Sequence, residues 1–279
     1  MPTATIIASF FYSADAPLIC DGMPTDREKG SPALQTADAR LEVVAEALES
    51  TYGVPRVDPD RLFVDHADLN LAATYRELQP DGFAFQRPRF LYLGAALDCR
   101  HEPEVPQIAD LRPPTIYVSM GSADSVDDEL LKTCTEAFAD GVWSIAFAGV
   151  NEDDQRLSES ALARVVLPQL RVLRIATVFL THGGMNSVVE SVTSGVPMLV
   201  LPKTPEQDFV ASRIEELGLG IHLPRTGLSP ARLRRAAEVL RRSERHAAAL
   251  TEARALALRA EGHAEAASAL IALPSSSRG

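Results

Sequence analysis

Short apolar runs alternate with amphipathic segments along the second half of the chain. The apolar runs suit buried strands and are TIYVSM (115–120), WSIAFAG (143–149), ARVVL (163–167), TVFLT (177–181) and PMLVLP (197–202). Segments of helical periodicity separate several of them, over roughly 127–139, up to about 193, and over roughly 206–217. Continuous apolar strands joined by helices are typical of a parallel sheet covered on both faces. We therefore predict a complete doubly wound α/β domain here.

The first 97 residues carry the same kinds of segment, but fewer of them. Strands are predicted at ATIIASFF (4–11), DLNLAAT (68–74) and RFLYLGA (89–95). An amphipathic helix is predicted over 36–50, with an apolar face of Leu41, Val44, Ala45 and Leu48 and stop signals at Gly53 and Pro55. Because the first strand begins almost at the first residue, we expect this domain to be partial, with the opening strands of its sheet missing.

The best candidate for a linker is DCRHEPEVPQIADLRPP (98–114), which combines charge with four prolines and has no apolar periodicity. It divides the chain into a partial N-terminal domain over 1–97 and a C-terminal domain over 115–273. The second domain ends in a stretch from Pro230 to Leu273 that is rich in Ala, Arg, Glu and Leu and predicts two or three helices. Residues 274–279 are predicted to be a flexible tail.

Composition and charge narrow the class of ligand. Hydrophobic residues make up 46% of the chain and charged residues 23%, as in ordinary soluble globular proteins. The formal net charge of -11 argues against nucleic acid as a partner, because affinity for a phosphate backbone is built from net positive surface. A small molecule is therefore the expected ligand.

The expected cellular location is predicted from membrane-span, signal-peptide and cysteine patterns in the sequence. No run approaches the ~18 apolar residues that a membrane span needs, and the N-terminus lacks the basic start of a signal peptide. The three cysteines, Cys20, Cys99 and Cys134, form neither a CxxC pair nor an even disulfide set. We predict a cytoplasmic protein with no membrane span and no thiolate metal cluster.

Candidate chemistry concentrates in residues 168–220, where a strand, a Gly-Gly turn and a helix start follow one another. Backbone N–H groups and the helix dipole make such a turn an anion site, and glycines let the backbone approach the anion closely. Glu190 lies four residues after Asn186 on the same helix face, where its carboxylate would accept hydrogen bonds from a ribose. Each feature alone is more often a plain turn or cap, but together they indicate a diphosphate and ribose site.

This segment resembles the donor-binding signature of nucleotide-sugar-dependent glycosyltransferases, in particular the bacterial macrolide and antibiotic group with the two-domain B-type fold. The resemblance covers residues 98–273 well and residues 1–97 more loosely, through RELQPDG and RFLYLG. It implies a donor phosphate site whose members are Ser122, His182, Gly183, Gly184, Asn186 and Ser187. It also implies that Glu190 binds the ribose, that Glu206 and Gln207 bind the donor sugar, and that the chain at Leu167 and Gln169 faces the base.

Two departures from the family pattern stand out. Val166 occupies a position where many members carry an aromatic residue that stacks on the base. In the family, a histidine near the start of the N-terminal domain is the general base. Here neither His66 nor His101 lies in a strand-to-helix turn, so the catalytic residue remains unidentified. Asp58-Pro59-Asp60 matches a metal-binding DxD pattern but is read as acidic filler, and no metal or other cofactor is expected.

The resemblance implies transfer of a hexose or deoxyhexose from a UDP- or dTDP-sugar, as substrate, to a hydroxyl of a small natural product. One alternative is a donor-binding chain without independent activity, either a truncated copy or one subunit of a two-chain transferase. Another is a nucleotide-sugar epimerase on the same architecture, which the Glu206-Gln207 pair fits less well. A partial first sheet further predicts self-association or a partner chain through residues 1–97 and poor sugar transfer by this chain alone.

Overall fold

The chain forms two parallel β-sheets, which the computed structural model describes over residues 4–7, 43–53, 68–79, 90–94, 102–121, 125–158, 161–259 and 262–273. The first sheet has three strands in the order β1-β2-β3, namely β1 (Ala4–Ile7), β2 (Leu69–Ala72) and β3 (Phe90–Tyr92). A helix, α1, covers residues 43–52 and ends at Gly53, whose N–H donates to the carbonyl of Glu49 and whose φ is 63°. The predicted glycine stop of this helix is thereby confirmed.

The second sheet has six strands in the order β6-β5-β4-β7-β8-β9. The strands are β4 (Thr115–Ser119), β5 (Ser144–Ala148), β6 (Ala161–Arg164), β7 (Val178–Thr181), β8 (Met198–Val200) and β9 (Gly220–His222). All neighbouring pairs are parallel. The chain moves outward from β4 to β5 and β6 and then crosses back to β7, so the strand order reverses between β4 and β7. Doubly wound folds bind ligands at the carboxyl ends of the strands at such a switch point.

Helices cover both faces of the second sheet. The helices after β4 are α2 (Asp128–Ala137), α3 (Gln169–Leu173), α4 (Met185–Ser194), α5 (Pro205–Glu216), α6 (Pro230–Arg242), α7 (Glu244–Arg259) and α8 (Gly262–Ala272), and of these α8 packs on the first sheet instead. Side-chain caps fix several starts, since Asp127, Thr204 and Ser229 accept hydrogen bonds from backbone N–H groups of the first turns of α2, α5 and α6. The sequence predicted all of these helices except α3.

Two apolar clusters form the core, one on each face of the second sheet. One face packs Tyr117, Phe179 and Met198 against residues of α3, α4 and α5, and the other packs Val118, Leu180 and Leu199 against α2 and α6. Burial on both faces explains why these strands are mostly apolar along their length, without an alternation of apolar and polar positions. Cys134 lies in the second cluster, and burial raises the pKa of its thiol, which makes it an inert packing residue.

The C-terminal helix α8 returns to the first sheet. Ala266 of α8 packs with Leu69 and Leu71 of β2. A β-carbon at Gly262 would collide with the Tyr92 carbonyl, so only glycine fits where α8 begins against β3. The predicted range 115–273 therefore includes a helix that packs on the first sheet, and the domain boundaries inferred from sequence stay a prediction.

The loop after β2 docks on the second sheet's helices. The Arg213 guanidinium of α5 donates to the carbonyls of Glu77 and Gln79, at 3.1 Å each. Tyr75 and Thr193 share a hydroxyl hydrogen bond of 2.6 Å, which links the same loop to the end of α4. These contacts join residues more than 100 positions apart and hold the two sheets together.

The structure corrects one predicted strand and adds another. The strand expected over 163–167 is β6 at Ala161–Arg164, and Val165 and Val166 lie in an exposed bend after it. Strand β9 was not predicted. Of the strand expected over 4–11, residues 8–11 lie outside the described residues, as do residues 36–42 of the first predicted helix and the tail 274–279.

No helix in the described part of the chain is long and apolar enough to cross a membrane.

Candidate functional site

Three loops at the carboxyl edge of the second sheet form the candidate site. They follow β4, β7 and β8, which are neighbours in the sheet on either side of the switch point. The predicted site residues His182, Gly183 and Gly184 lie in the loop after β7, and Glu206 and Gln207 lie at the start of α5 after β8. The fold thus brings together at one edge residues that lie apart in the chain.

The His182 imidazole lies between two glycine backbones. A β-carbon at Gly121, in the loop after β4, would be 2.7 Å from its Cε1 atom, and one at Gly184 would be 2.6 Å from Nε2. Both distances are shorter than real β-carbon contacts, so a larger residue at either position would displace the ring. The glycines therefore fix where the imidazole sits.

The start of α4 presents backbone N–H groups beside this imidazole. Gly184 is the N-cap and supplies no side-chain cap. Gly183 has a φ of 90°, and a β-carbon there would collide with the Val200 side chain. Asn186 is exposed and Ser187 half-buried in the first turn. The first four N–H groups of a helix have no intrahelical acceptor, and the helix dipole makes this end positive. This arrangement suits an anion.

Glu190 is a buried carboxylate one turn further into α4. Only 7% of its surface is exposed, and its Oε2 accepts a 2.7 Å hydrogen bond from Nε2 of Gln169. The same Gln169 nitrogen lies 3.3 Å from the Ser187 hydroxyl. The fold therefore joins three residues that the sequence assigned separately to the ribose, the base and the phosphates.

Gln207 is held by the loop that precedes α5. Its Oε1 accepts a 2.8 Å hydrogen bond from the Lys203 N–H, and its own N–H donates to the Thr204 hydroxyl. The Gln207 carbonyl would lie 3.5 Å from a β-carbon at Gly183, so the start of α5 packs directly on the Gly-Gly turn. Glu206 is exposed beside it.

The bend after β6 reaches the same edge. Val165 and Val166 are about 70% exposed there, whereas Leu167 is buried in the core, so the Leu167 side chain does not face the site. Glu102, in the predicted linker, accepts hydrogen bonds from the N–H groups of Leu170 and Arg171 and so caps α3, whose own N-cap Pro168 makes no side-chain cap.

An ion pair lies at the same edge. Arg225 contacts the carboxylate of Asp127, the cap of α2, at 2.7 Å. Burial alone would raise the pKa of Asp127, but the hydrogen bond from the Leu130 N–H and the Arg225 guanidinium together hold it below its ordinary value. The Asp127 carboxylate therefore stays ionised at neutral pH.

Several predicted positions lie outside the described residues. They are Ser122 of the phosphate set, Asp58 and Asp60 of the DxD pattern, and His66 and His101. Within the described ranges no group of three or more His, Cys, Asp or Glu side chains is arranged to hold a metal ion.

Sequence reasoning missed Tyr117, which contacts the predicted residue Gln169, and Glu102, which caps the helix that Gln169 begins. Strand β4 also contains the hydroxyl residues Thr115 and Ser119, so no pattern in the sequence distinguishes Tyr117.

A cavity of about 560 Å³ lies at the opposite, amino edge of the second sheet, lined by Thr177, Pro197 and Leu250 among others. Its arginines are engaged by the protein, since Arg254 donates to the Thr193 carbonyl and Arg241 and Arg242 contact Glu238. The glycine loops and the buried carboxylate lie at the other edge, which is therefore the candidate site.

Known proteins resemble the part of the chain that forms the second sheet. The sequence profile of the family "Erythromycin biosynthesis protein CIII-like, C-terminal domain" matches residues 122–273. NDP-glycosyltransferase YjiC of Bacillus licheniformis is 39% identical over 176 residues, which are 61% of this chain and 44% of that protein. The chain thus matches about half the length of its curated relatives.

Two crystal structures superpose on nearly the whole chain. The glycosyltransferase of kitacinnamycin gives a TM-score of 0.79 at 27% identity over 98% of this chain and 71% of that one. The calicheamicin glycosyltransferase gives 0.75 at 26% identity over 98% and 69%. The predicted fold, a C-terminal doubly wound domain with part of an N-terminal α/β domain, is confirmed. The chain belongs to the erythromycin biosynthesis protein CIII-like family, whose C-terminal domain residues 122–273 match, and it has the B-type glycosyltransferase fold.

Proposed function

We propose that the chain binds a UDP- or dTDP-sugar at the carboxyl edge of the second sheet and transfers a hexose or deoxyhexose to a hydroxyl of a small natural product. One observation carries the proposal: the glycine-bounded His182 lies in the loop directly before α4, and the open start of that helix lies one turn from the buried Glu190 carboxylate. An anion site followed one turn later by a carboxylate matches the diphosphate and ribose of a nucleotide.

The phosphates would bind at the loop after β7. Backbone N–H groups of Gly183 and Gly184 and the first turn of α4 would donate to them, with His182, Asn186 and Ser187 as side-chain partners. Ser122 is the proposed partner from the loop after β4. A diphosphate gains from the positive end of the helix because its own charge is negative.

The nucleoside would lie along α4 toward α3. Glu190 would accept from the ribose hydroxyls, with Gln169 beside it. The exposed bend at Val165 and Val166 would present aliphatic surface to the base, and the Leu167 backbone would border it. An aliphatic surface stacks less specifically than an aromatic ring.

The donor sugar would contact the start of α5. Oε1 of Gln207 accepts from Lys203, so the amide nitrogen is the end of Gln207 that would donate to a sugar hydroxyl. Glu206 would accept from a second hydroxyl. In the proposed transfer the acceptor oxygen bonds to the anomeric carbon while the bond from that carbon to the diphosphate oxygen breaks. The α4 N–H groups and His182 would stabilise the charge on the leaving diphosphate.

A donor-binding chain without independent activity is the second candidate. The described residues at the carboxyl edge would contact the donor, and the sequence places neither His66 nor His101 in a strand-to-helix turn where a general base is expected.

Nucleotide binding tests the site. UDP or dTDP should raise the melting temperature, because a ligand that binds only the folded state stabilises it. His182→Ala should weaken binding by about 1–3 kcal/mol, as expected for a lost partner of a charged phosphate. His263→Ala, at an exposed histidine of α8, is the matched control and should leave binding unchanged. No shift with either nucleotide at saturation would contradict the site.

A turnover assay tests the reaction. Chromatography with UDP- and dTDP-sugars and phenolic or macrolide acceptors should detect a glycosylated acceptor. Binding without transfer would favour the donor-binding alternative, and an epimerised sugar nucleotide would favour the epimerase. Binding and turnover should both persist in EDTA, and a strict requirement for Mg²⁺ or Mn²⁺ would contradict the prediction that no metal is used.

A further inference from the structure

Tyr117 is the one tyrosine of the central strand β4, and its ring is buried in the core of the second sheet. The ring stacks on Phe179 of the neighbouring strand β7, with centroids 4.9 Å apart and planes 11° apart. A phenylalanine would fill the same space. The hydroxyl is therefore the only part of this side chain that packing does not require.

The Tyr117 hydroxyl reaches the candidate site. It donates a 3.2 Å hydrogen bond to Oε1 of Gln169, at the first residue of α3. An amide oxygen only accepts hydrogen bonds, so this contact turns the oxygen of Gln169 toward the core and its nitrogen the other way. The orientation of the Gln169 amide is thus set from inside the sheet.

The nitrogen of that amide contacts the two polar residues of α4 described above. It lies 2.7 Å from Oε2 of Glu190 and 3.3 Å from the Ser187 hydroxyl. An ionised carboxylate accepts hydrogen bonds and donates none, so only this orientation of the amide is compatible with Glu190. Tyr117, at the oxygen of the Gln169 amide, and Glu190, at its nitrogen, therefore favour the same orientation of that amide.

We propose that Tyr117 is a positioning residue for donor binding, because its hydroxyl orients the Gln169 amide that holds the Glu190 carboxylate toward the ribose hydroxyls. The inference rests on the proposed function. The inference extends the site into the core strand β4. It predicts that removal of the Tyr117 hydroxyl, with the ring left in place, will weaken recognition of the ribose hydroxyls.

The test compares Tyr117→Phe with the wild type on two pairs of nucleotides. UDP is paired with 2′,3′-dideoxyuridine diphosphate and dTDP with 3′-deoxythymidine diphosphate, so the members of each pair differ only in sugar hydroxyls. Calorimetry should show that the wild type prefers the hydroxylated member of at least one pair. Tyr117→Phe should weaken binding of the hydroxylated member about 2- to 10-fold, the range for one hydrogen bond. The ratio of the two affinities within that pair should therefore decrease.

Tyr75→Phe is the matched control for a lost buried hydroxyl. Tyr75 belongs to the same apolar cluster, but its hydroxyl bonds Thr193 near the far end of α4. Both variants should lower the melting temperature of the unliganded protein, and only Tyr117→Phe should narrow the preference for ribose hydroxyls. If Tyr117 has only a structural role, the two variants should behave alike: both narrow the preference for the hydroxylated nucleotide, or neither does. Either result would overturn the inference.

Glu190→Gln separates the failure of this inference from that of the proposed function. If the wild type binds neither nucleotide, or Glu190→Gln leaves the preference intact, the proposed donor site is wrong and the inference falls with it. If Glu190→Gln narrows the preference and Tyr117→Phe does not, only the inference is overturned. A double variant with Gln169→Leu should show no additional effect of Tyr117→Phe, because the two residues act through one contact.

Discussion

The two sheets differ in how completely their apolar residues are covered. In the second sheet each central strand has a neighbour on both sides and helices on both faces, and Leu180 and Leu199 are fully buried. In the first sheet β2 is buried between two strands and beneath α8, whereas Ile6 of the edge strand β1 is 71% exposed. An apolar run therefore predicts a strand, but the number of neighbours decides whether its side chains are buried.

Helices α4 and α1 also differ in how far their apolar side chains are buried. Helix α4 buries Val188, Val189 and Val192 against the second sheet. Helix α1 has the amphipathic pattern that the sequence predicts, yet Val43, Val44, Leu48 and Tyr52 are exposed in the described structure. The proposed donor site lies on the second sheet, where the packing is complete, and complete packing would hold His182 and Glu190 in fixed positions.

The largest difference is expected for core truncations. Leu180→Ala should destabilise the protein by about 2–5 kcal/mol, because it leaves a cavity among buried side chains. Ile6→Ala should change the free energy of unfolding by less than about 0.5 kcal/mol, as for an exposed position. Urea denaturation measures both values, and similar losses from the two variants would break the comparison.

The contact between the two sheets should give an intermediate effect. Arg213→Met removes the donor to the Glu77 and Gln79 carbonyls and should cost about 1–3 kcal/mol, since the carbonyl of the buried Gln79 loses this hydrogen bond. Hydrogen exchange should show faster exchange in residues 76–79 with little change in β7. Arg235→Met, at an exposed arginine of α6, is the control and should leave both measurements unchanged.

Substitution of the exposed face of α1 should change association more than stability. The double variant Val44→Lys and Leu48→Lys should leave the free energy of unfolding within about 0.5 kcal/mol of the wild type. It should also reduce any self-association seen by sedimentation, because exposed apolar patches favour contact between chains. Unchanged sedimentation in a self-associating sample would show that this face is not the contact.

The smallest effect is expected from acid. The pKa of Asp127 is lowered in the folded protein, so its stabilising contribution is present at neutral pH and is lost as the pH falls below about 4 through the folded-state value. Asp127→Asn should flatten this part of the curve of unfolding free energy against pH. A curve identical to that of the wild type would contradict the role of the Arg225 pair.

The elements that were predicted correctly are those whose pattern is local. The run from TVFLT through Gly183-Gly184 into α4 contains its own strand, turn and helix signals, and His182 and Glu190 follow from it. Strand β9 has only three residues and contains Gly220, and it forms through its pairing with β8. Val165 and Val166 have high strand propensity yet lie in an exposed bend.

The connections within the site could not be predicted for the same reason. Tyr117 contacts a residue 52 positions away, and Glu102 caps a helix 68 positions away. Contacts between residues so far apart in the chain produce no periodic pattern in the sequence from which they could be predicted. Only the parallel sheet, which places the ends of β4, β6 and β7 at one edge, brings these residues together.

The central claim is that a nucleotide binds at the carboxyl edge of the second sheet, and a crystal structure with UDP or dTDP tests it most directly. The account predicts diphosphate density at the start of α4 beside His182, with the ribose at Glu190. Nucleotide density elsewhere would contradict it, as would occupancy of the amino-edge cavity lined by Thr177 and Leu250 with the α4 turn left empty.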